Sequence, residues 1–120
     1  MIIKPNNNNN FLLNKLDILK DNKDKSGIYI LYNIINNKFY IGRSKNLRNR
    51  FIYYYNINNL NRNGNSRICN ALLIYGYINF SLEILEYCDK SLAEREQYHI
   101  YLFQPEYNIR CKKGKIYKLL

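Results

Sequence analysis

From Gly27 the chain reads GIYILYN, apolar or aromatic at almost every position, and from Lys38 it reads KFYIG. Runs this rich in β-branched and aromatic residues predict strands, and the polar stretch around Asn36 and Asn37 predicts the turn of an antiparallel hairpin between them. FSLEILEYC, residues 80–88, predicts a third strand. Elsewhere the apolar spacing is helical. Residues 11–20 set Phe11, Leu12, Leu16 and Ile18 or Leu19 at roughly helical intervals. From Lys45 to Tyr55 the pattern puts Leu47, Phe51 and Tyr54 on one side, with Ser44 able to cap. SRICNALLIY, 66–75, predicts a helix stopped by Gly76, and the Asn-rich segment 56–65 predicts a loop. Ser91 followed by Glu94 is a capping-box pattern that opens a last helix, SLAEREQYHIYLF. Pro105 ends it, and EYNI (106–109) reads as a short extended piece. The core order is β-β-α-α-β-α, an α+β fold with a small three-stranded antiparallel sheet flanked by helices.

A chain of 120 residues makes one domain with a modest core. No apolar run is long enough to cross a bilayer, so a membrane is not an expected partner. Cys69, Cys88 and Cys111 are far apart and in no metal-like pairing, which suits reduced thiols in a protein that is not secreted. With His99 as the single histidine, a zinc site or histidine triad is not expected; His99 reads as a surface residue without a role. Asn6–Asn10 reads as a low-complexity, disordered start. Heavy use of Asn, Ile, Lys and Tyr suggests coding biased toward A and T, common in organelle genomes, and gives a mitochondrial location as an expectation. The same bias weakens any argument from a single asparagine.

Charge narrows the partner. The net charge is +10, and no acidic residue occurs between Asp24 and Glu83, an interval holding Lys25, Lys38, Arg43, Lys45, Arg48, Arg50, Arg62 and Arg67. Such a one-sign block attracts a polyanion, and nucleic acid fits better than an anionic membrane because no amphipathic basic helix stands out. A solvated basic face is the plainer alternative. Within the last helix, Leu92, Glu96, Ile100 and Phe103 share one face, so Glu96 stands where a leucine would be expected. A carboxylate there must be paired or bind a cation. Arg50 lies near the apolar face of its own helix. Arg50 and Glu96 could pair with each other, or bracket a phosphodiester, one directly and one through a metal. Tyr29 and Tyr40 could likewise be hairpin core or a paired site.

GIY at 27–29, ten residues, YIG at 40–42, then Asn46-Leu47, Arg50, the ERE of 94–96 and EYNI at 106–109 together resemble the GIY-YIG endonuclease family. The likeness covers about residues 25–110, leaving an Asn-rich extension (1–24) and a basic tail (111–120). It also resembles the GIY-YIG homing endonucleases of fungal mitochondrial introns. The resemblance implies a phosphodiester hydrolase acting on double-stranded DNA with one Mg²⁺ ion, Mn²⁺ able to substitute, and no small-molecule cofactor. It makes Glu96 the sole protein ligand of the metal and Arg50 the contact to the scissile phosphate. It makes Tyr40 the residue that activates or orients water, with Tyr29 beside it. Tyr54 falls where members carry tyrosine or histidine, Arg43 at a position sometimes lysine, and Asn108 would close the site by hydrogen bonding.

The chemistry agrees with those roles. A free tyrosine is a poor base at neutral pH and needs cationic neighbours. Mg²⁺ keeps most of its waters, so one carboxylate can hold it. Gly42, Arg43, Lys45, Arg48 and Arg67 would contact nucleic acid, mostly as phosphate neutralisers that add affinity and salt dependence rather than sequence choice. A monomer is favoured. Homing relatives continue past EYNI into DNA-binding modules, whereas this chain ends in RCKKGKIYKLL; weak, poorly selective DNA binding is therefore expected. A non-catalytic nucleic-acid-binding module or decayed relative is the alternative.

Overall fold

A computed structural model describes residues 9–108, 110–112 and 115–117. Three strands form the central sheet: β1 (Gly27–Asn33), β2 (Phe39–Ser44) and β3 (Phe80–Tyr87). Their order is β2-β1-β3 and both pairings are antiparallel. Every residue of β1 is buried, which explains its continuous rather than alternating hydrophobicity: it is the middle strand of a sheet covered on both faces. A bulge opposite Ile28 and Tyr29 leaves Leu85 as an extra residue on β3.

Four helices cover one face: α1 (Lys15–Asp21), α2 (Leu47–Tyr54), α3 (Ile57–Arg62) and α4 (Arg67–Tyr75). They bury Phe11, Ile18, Phe51, Leu60 and Leu72 against Tyr29, Leu31, Phe80 and Leu82. A single helix, α5 (Leu92–Phe103), covers the other face, packing Leu92 and Ile100 on Ile28, Ile30, Tyr32, Phe39 and Ile41. The alternation along β2 thus sends Tyr40 toward the four-helix layer and Ile41 toward α5. A small hairpin, β4 (Arg110–Lys112) with β5 (Lys115–Tyr117), follows the core; the expected tail therefore holds backbone pairing within the described residues.

Several local expectations are corrected. The segment 56–65 is not all loop: Asn56 accepts from the Asn58 backbone N–H at 2.9 Å and starts α3. Asn46, not Ser44, caps α2 by accepting from Asn49 N–H at 3.1 Å, while Ser44 Oγ accepts from Asn46 N–H. Ser66 caps α4 and Gly76 stops it at φ 81°, as the sequence suggests. At α5 the capping box does not form, because Ser91 is left-handed (φ 57°) and makes no side-chain cap. Residues 106–108 are a 3₁₀ turn rather than an extended piece. The first helix starts later than expected. Asn10 gathers Leu12 N–H, Leu13 N–H and the Ile78 carbonyl into a turn, so Phe11 and Ile18 are buried while Leu16 is 81% exposed. The Asn-rich start otherwise lies outside the described residues. Cys69 and Cys88 are free thiols.

Candidate active site

The tyrosines gather on the four-helix face. Tyr29 on β1 is 1% exposed, and its hydroxyl lies 2.7 Å from that of Tyr54 on α2. The Tyr40 ring, half-buried on β2, stands 6.2 Å from the Tyr29 ring. Phe51 meets Tyr29 edge-on at 5.2 Å. Register explains the closeness: Tyr29 lies opposite Gly42, and Leu31 opposite Tyr40. A Cβ at position 42 would overlap the Tyr29 hydroxyl and come within 2.7 Å of the Tyr40 ring. The glycine of YIG is thus the floor on which Tyr29 lies.

Burial pushes the Tyr29 phenol well above its ordinary range, and the nearby Tyr54 and Tyr40 add to that. Tyr54 is raised likewise, chiefly by burial and then by Tyr40. In both, Arg50 pulls the other way without offsetting the burial. These two phenols therefore stay neutral and serve as hydrogen-bonding groups. Arg50, on the exposed side of α2, stands with its guanidinium 5.6 Å from the Tyr53 ring centre. Partial burial works against its charge, but Tyr29, Tyr54, Tyr40 and Tyr53 together outweigh that and keep it firmly protonated.

On the opposite face, Arg43 Nη1 donates to Glu96 Oε1 at 2.8 Å, with side-chain exposures of 47% and 12%. The pairing speaks against one of the two alternatives left open by the sequence, that Arg50 and Glu96 pair with each other. The acid on α5 meets Arg43, not Arg50, because β2 turns Arg43 toward α5 while α2 holds Arg50 on the other side of the sheet. An open cleft of about 580 Å³ joins the two halves around the sheet end, lined by Arg43, Ser44, Lys45 and Arg50 on one side and Asp89, Ser91, Leu92, Ala93 and Glu94 on the other. Arg48 and Arg67 are exposed on α2 and α4, outside this lining. Gly42 is buried beneath Tyr29.

Asn108 is buried, and its side chain brackets one residue of the outer strand. It accepts from Ile41 N–H at 2.9 Å and donates to the Ile41 carbonyl at 2.8 Å. Since Ile41 lies opposite Ile30 on β1 and both its polar groups go to Asn108, they point to the outer edge of β2. The amide stands in for a neighbouring strand between Tyr40 and Gly42.

His99 corrects another reading. It is not on the surface: its side chain is 12% exposed, its ring stacks on Phe103, and Nε2 lies 2.8 Å from Glu86 Oε1. Arg95 Nε also donates to that oxygen at 2.8 Å. Sequence spacing contained this signal, since His99 follows Arg95 by one helical turn and both can reach one acid. Asn33, which accepts from Ile35 N–H, Asn36, which accepts from Lys38 N–H, and the cap Asn56 were likewise hidden by the abundance of asparagine.

Among the described residues no cluster of three or more His, Cys, Asp or Glu side chains could hold a metal. A hard divalent cation that retains its waters needs only one carboxylate. Glu96, mostly sheltered and already facing a cation at Oε1, fits that mode.

Residues 25–110 match the GIY-YIG catalytic domain family. The chain is 34% identical over 104 residues to the UvrABC system protein C of Lactobacillus gasseri, covering 87% of this chain and 16% of that protein. It is 32% identical over 94 residues to the same-named protein of Pediococcus pentosaceus, covering 78% and 14%. The chain thus spans about a sixth of these relatives. Among solved structures, the catalytic domain of the homing endonuclease I-TevI superposes with a TM-score of 0.55 at 26% identity, covering 67% of this chain and 89% of that one.

Proposed function

Since the chain belongs to the GIY-YIG catalytic domain family, whose nuclease fold it shares with I-TevI, we propose that it is a Mg²⁺-dependent endonuclease of the homing type that hydrolyses phosphodiester bonds in double-stranded DNA. The observation that carries this reading is the cleft itself. It brings Arg43, Lys45 and Arg50 to one opening, with Tyr29, Tyr40, Tyr53 and Tyr54 around Arg50 and a carboxylate behind Arg43.

The roles follow from the surroundings. Arg50 is braced by the Tyr53 ring and kept charged by the phenols, so its fork is ready for the two oxygens of a scissile phosphate and for their growing charge. Tyr29 and Tyr54 are committed to each other and held neutral by burial. Tyr40 is the less buried member and is therefore the one suited to orient or deprotonate the attacking water. Glu96 would hold the metal, which when bound supplies positive charge and a coordinated water at the leaving oxygen. Asn108 acts as a positioning residue, fixing the backbone of Ile41 between Tyr40 and Gly42. Arg43, Lys45, Arg48 and Arg67 neutralise flanking phosphates, a sequence-independent contribution that weakens with salt. A mitochondrial setting and a monomeric state belong to the same proposal, the first on the A- and T-biased composition.

The test is supercoiled plasmid incubated with protein and Mg²⁺ beside Glu96→Ala and EDTA controls. Nicked or linear product from wild type alone supports the reading. A gel shift with no cleavage in any sample would replace it with a binding module.

A further inference from the structure

We propose that Arg43 is a gate on the metal site: the guanidinium and the divalent ion are alternatives at Glu96, and the arginine displaced by the ion becomes a phosphate contact. The inference rests on the metal reading of Glu96 given above. Its basis is one contact, Arg43 Nη1 to Glu96 Oε1 at 2.8 Å. An ion on that oxygen would sit within a few ångströms of the guanidinium. Two like charges cannot share a carboxylate at that range without strong repulsion.

The surroundings decide which partner moves. Glu96 is 12% exposed on a helix packed against the sheet, whereas the Arg43 side chain is 47% exposed and lines the open cleft. The arginine has room to swing and the carboxylate does not. Its backbone is pinned in β2 opposite Ile28, so the swing is confined to side-chain torsions and ends in the cleft beside Lys45 and Arg50. There the planar fork matches phosphate oxygens. Metal and DNA would then assist each other through one side chain, and the assistance must be reciprocal. An ion at Glu96 frees Arg43 for a phosphate, and a phosphate that captures Arg43 frees Glu96 for the ion.

The experiment measures Mn²⁺ binding without DNA, by electron paramagnetic resonance and calorimetry, in wild type, Arg43→Ala, Lys45→Ala and Glu96→Gln. A half-exposed ion pair competes weakly, so Arg43→Ala is expected to bind Mn²⁺ roughly three- to fivefold more tightly. Lys45→Ala removes the same charge from the same cleft and is expected to change affinity less than about twofold, because interactions across water are screened. In wild type, Mg²⁺ is expected to move the Arg43 Nε–H resonance, and in Glu96→Gln to leave it unmoved. Equal affinities for Arg43→Ala and Lys45→Ala, or an Arg43 resonance indifferent to Mg²⁺, would overturn the gate while leaving Glu96 as the metal residue. Undiminished Mn²⁺ binding by Glu96→Gln would instead overturn the metal reading itself.

Discussion

Replacing Asn108 by alanine tests how much of the site depends on a buried amide that bonds the backbone of Ile41. Ile41 is fully buried, and Asn108 supplies both hydrogen bonds on the outer side of its backbone. Removing the amide orphans a buried N–H and a buried C=O, at about 1–3 kcal/mol each. Water entering the vacated space recovers part of that, so a loss of about 2–4 kcal/mol is expected. Against a total stability of roughly 5–15 kcal/mol, that is measurable by urea unfolding. Asn108→Asp gives a sharper version. Its carboxylate still accepts from Ile41 N–H, but its second oxygen faces the Ile41 carbonyl, where only a protonated acid can donate. The folded state therefore favours the acid form, and the pKa in the fold lies above the unfolded value near 3.9. The variant's stability relative to wild type should be best below about pH 4 and fall as pH rises through the folded pKa. Plasmid nicking at temperatures where both variants remain folded should drop further than the folded fraction explains, because Tyr40 and Gly42 flank the loosened residue. An Asn108→Ala loss below about 0.5 kcal/mol, or an Asn108→Asp gap that ignores pH, would refute the reasoning.

Gly42→Ala should disturb Tyr29 and Tyr40 together, since the new methyl falls on both rings; a destabilisation of about 1–3 kcal/mol and at least a hundredfold loss of cleavage are expected from unfolding and nicking assays. Glu86 is held below the usual carboxylate range: burial opposes its charge, but hydrogen bonds from His99 and Arg95 outweigh it. A lowered pKa stabilises the fold above the unfolded value near 4.3, and that stabilisation disappears as pH falls through the folded value. Glu86→Gln should accordingly show a shallower loss of stability than wild type as pH falls below the unfolded value near 4.3, read by thermal unfolding. Gln104 ends α5 at φ 52°, a conformation that glycine adopts without steric cost, so Gln104→Gly should stabilise by roughly 0.5–1 kcal/mol with no change in cleavage.

The elements that were legible in the sequence are those whose side chains declare a periodicity. β1, β3, α2, α4 and the Leu92–Ile100 face of α5 sit where their apolar spacing puts them. The family motif also brought Tyr29, Tyr40, Arg50, Glu96 and Asn108 to notice in one order. What stayed hidden depended on partners distant in sequence. No spacing rule distinguishes Arg43 from Arg50 as the partner of Glu96, because the choice is made by which sheet face each occupies. The capping box at Ser91 failed for a similar reason. The turn entering α5 sets the Ser91 backbone left-handed, which withdraws the hydroxyl that local sequence offers. Asparagine was the costliest misreading. Where composition suggested mere coding bias, Asn10, Asn33, Asn46 and Asn56 each bond backbone groups that the chain would otherwise leave open.

The hairpin turn between β1 and β2 has a length that evolution cannot easily adjust. Asn33 accepts from Ile35 N–H, Asn36 from Lys38 N–H, and Asn37 takes the left-handed conformation at φ 64°, so the turn closes with a fixed count of residues. Strand side chains alternate, and a one-residue slip of β2 would exchange its faces. Tyr40 would then meet α5, Arg43 would join the buried tyrosines, and Glu96 would face a different side chain. Drift is cheap in the helical layers, where an added residue in the 63–66 connection moves nothing on β2. A single-codon deletion in residues 34–38, by contrast, would turn the site inside out while leaving every motif residue present in the sequence.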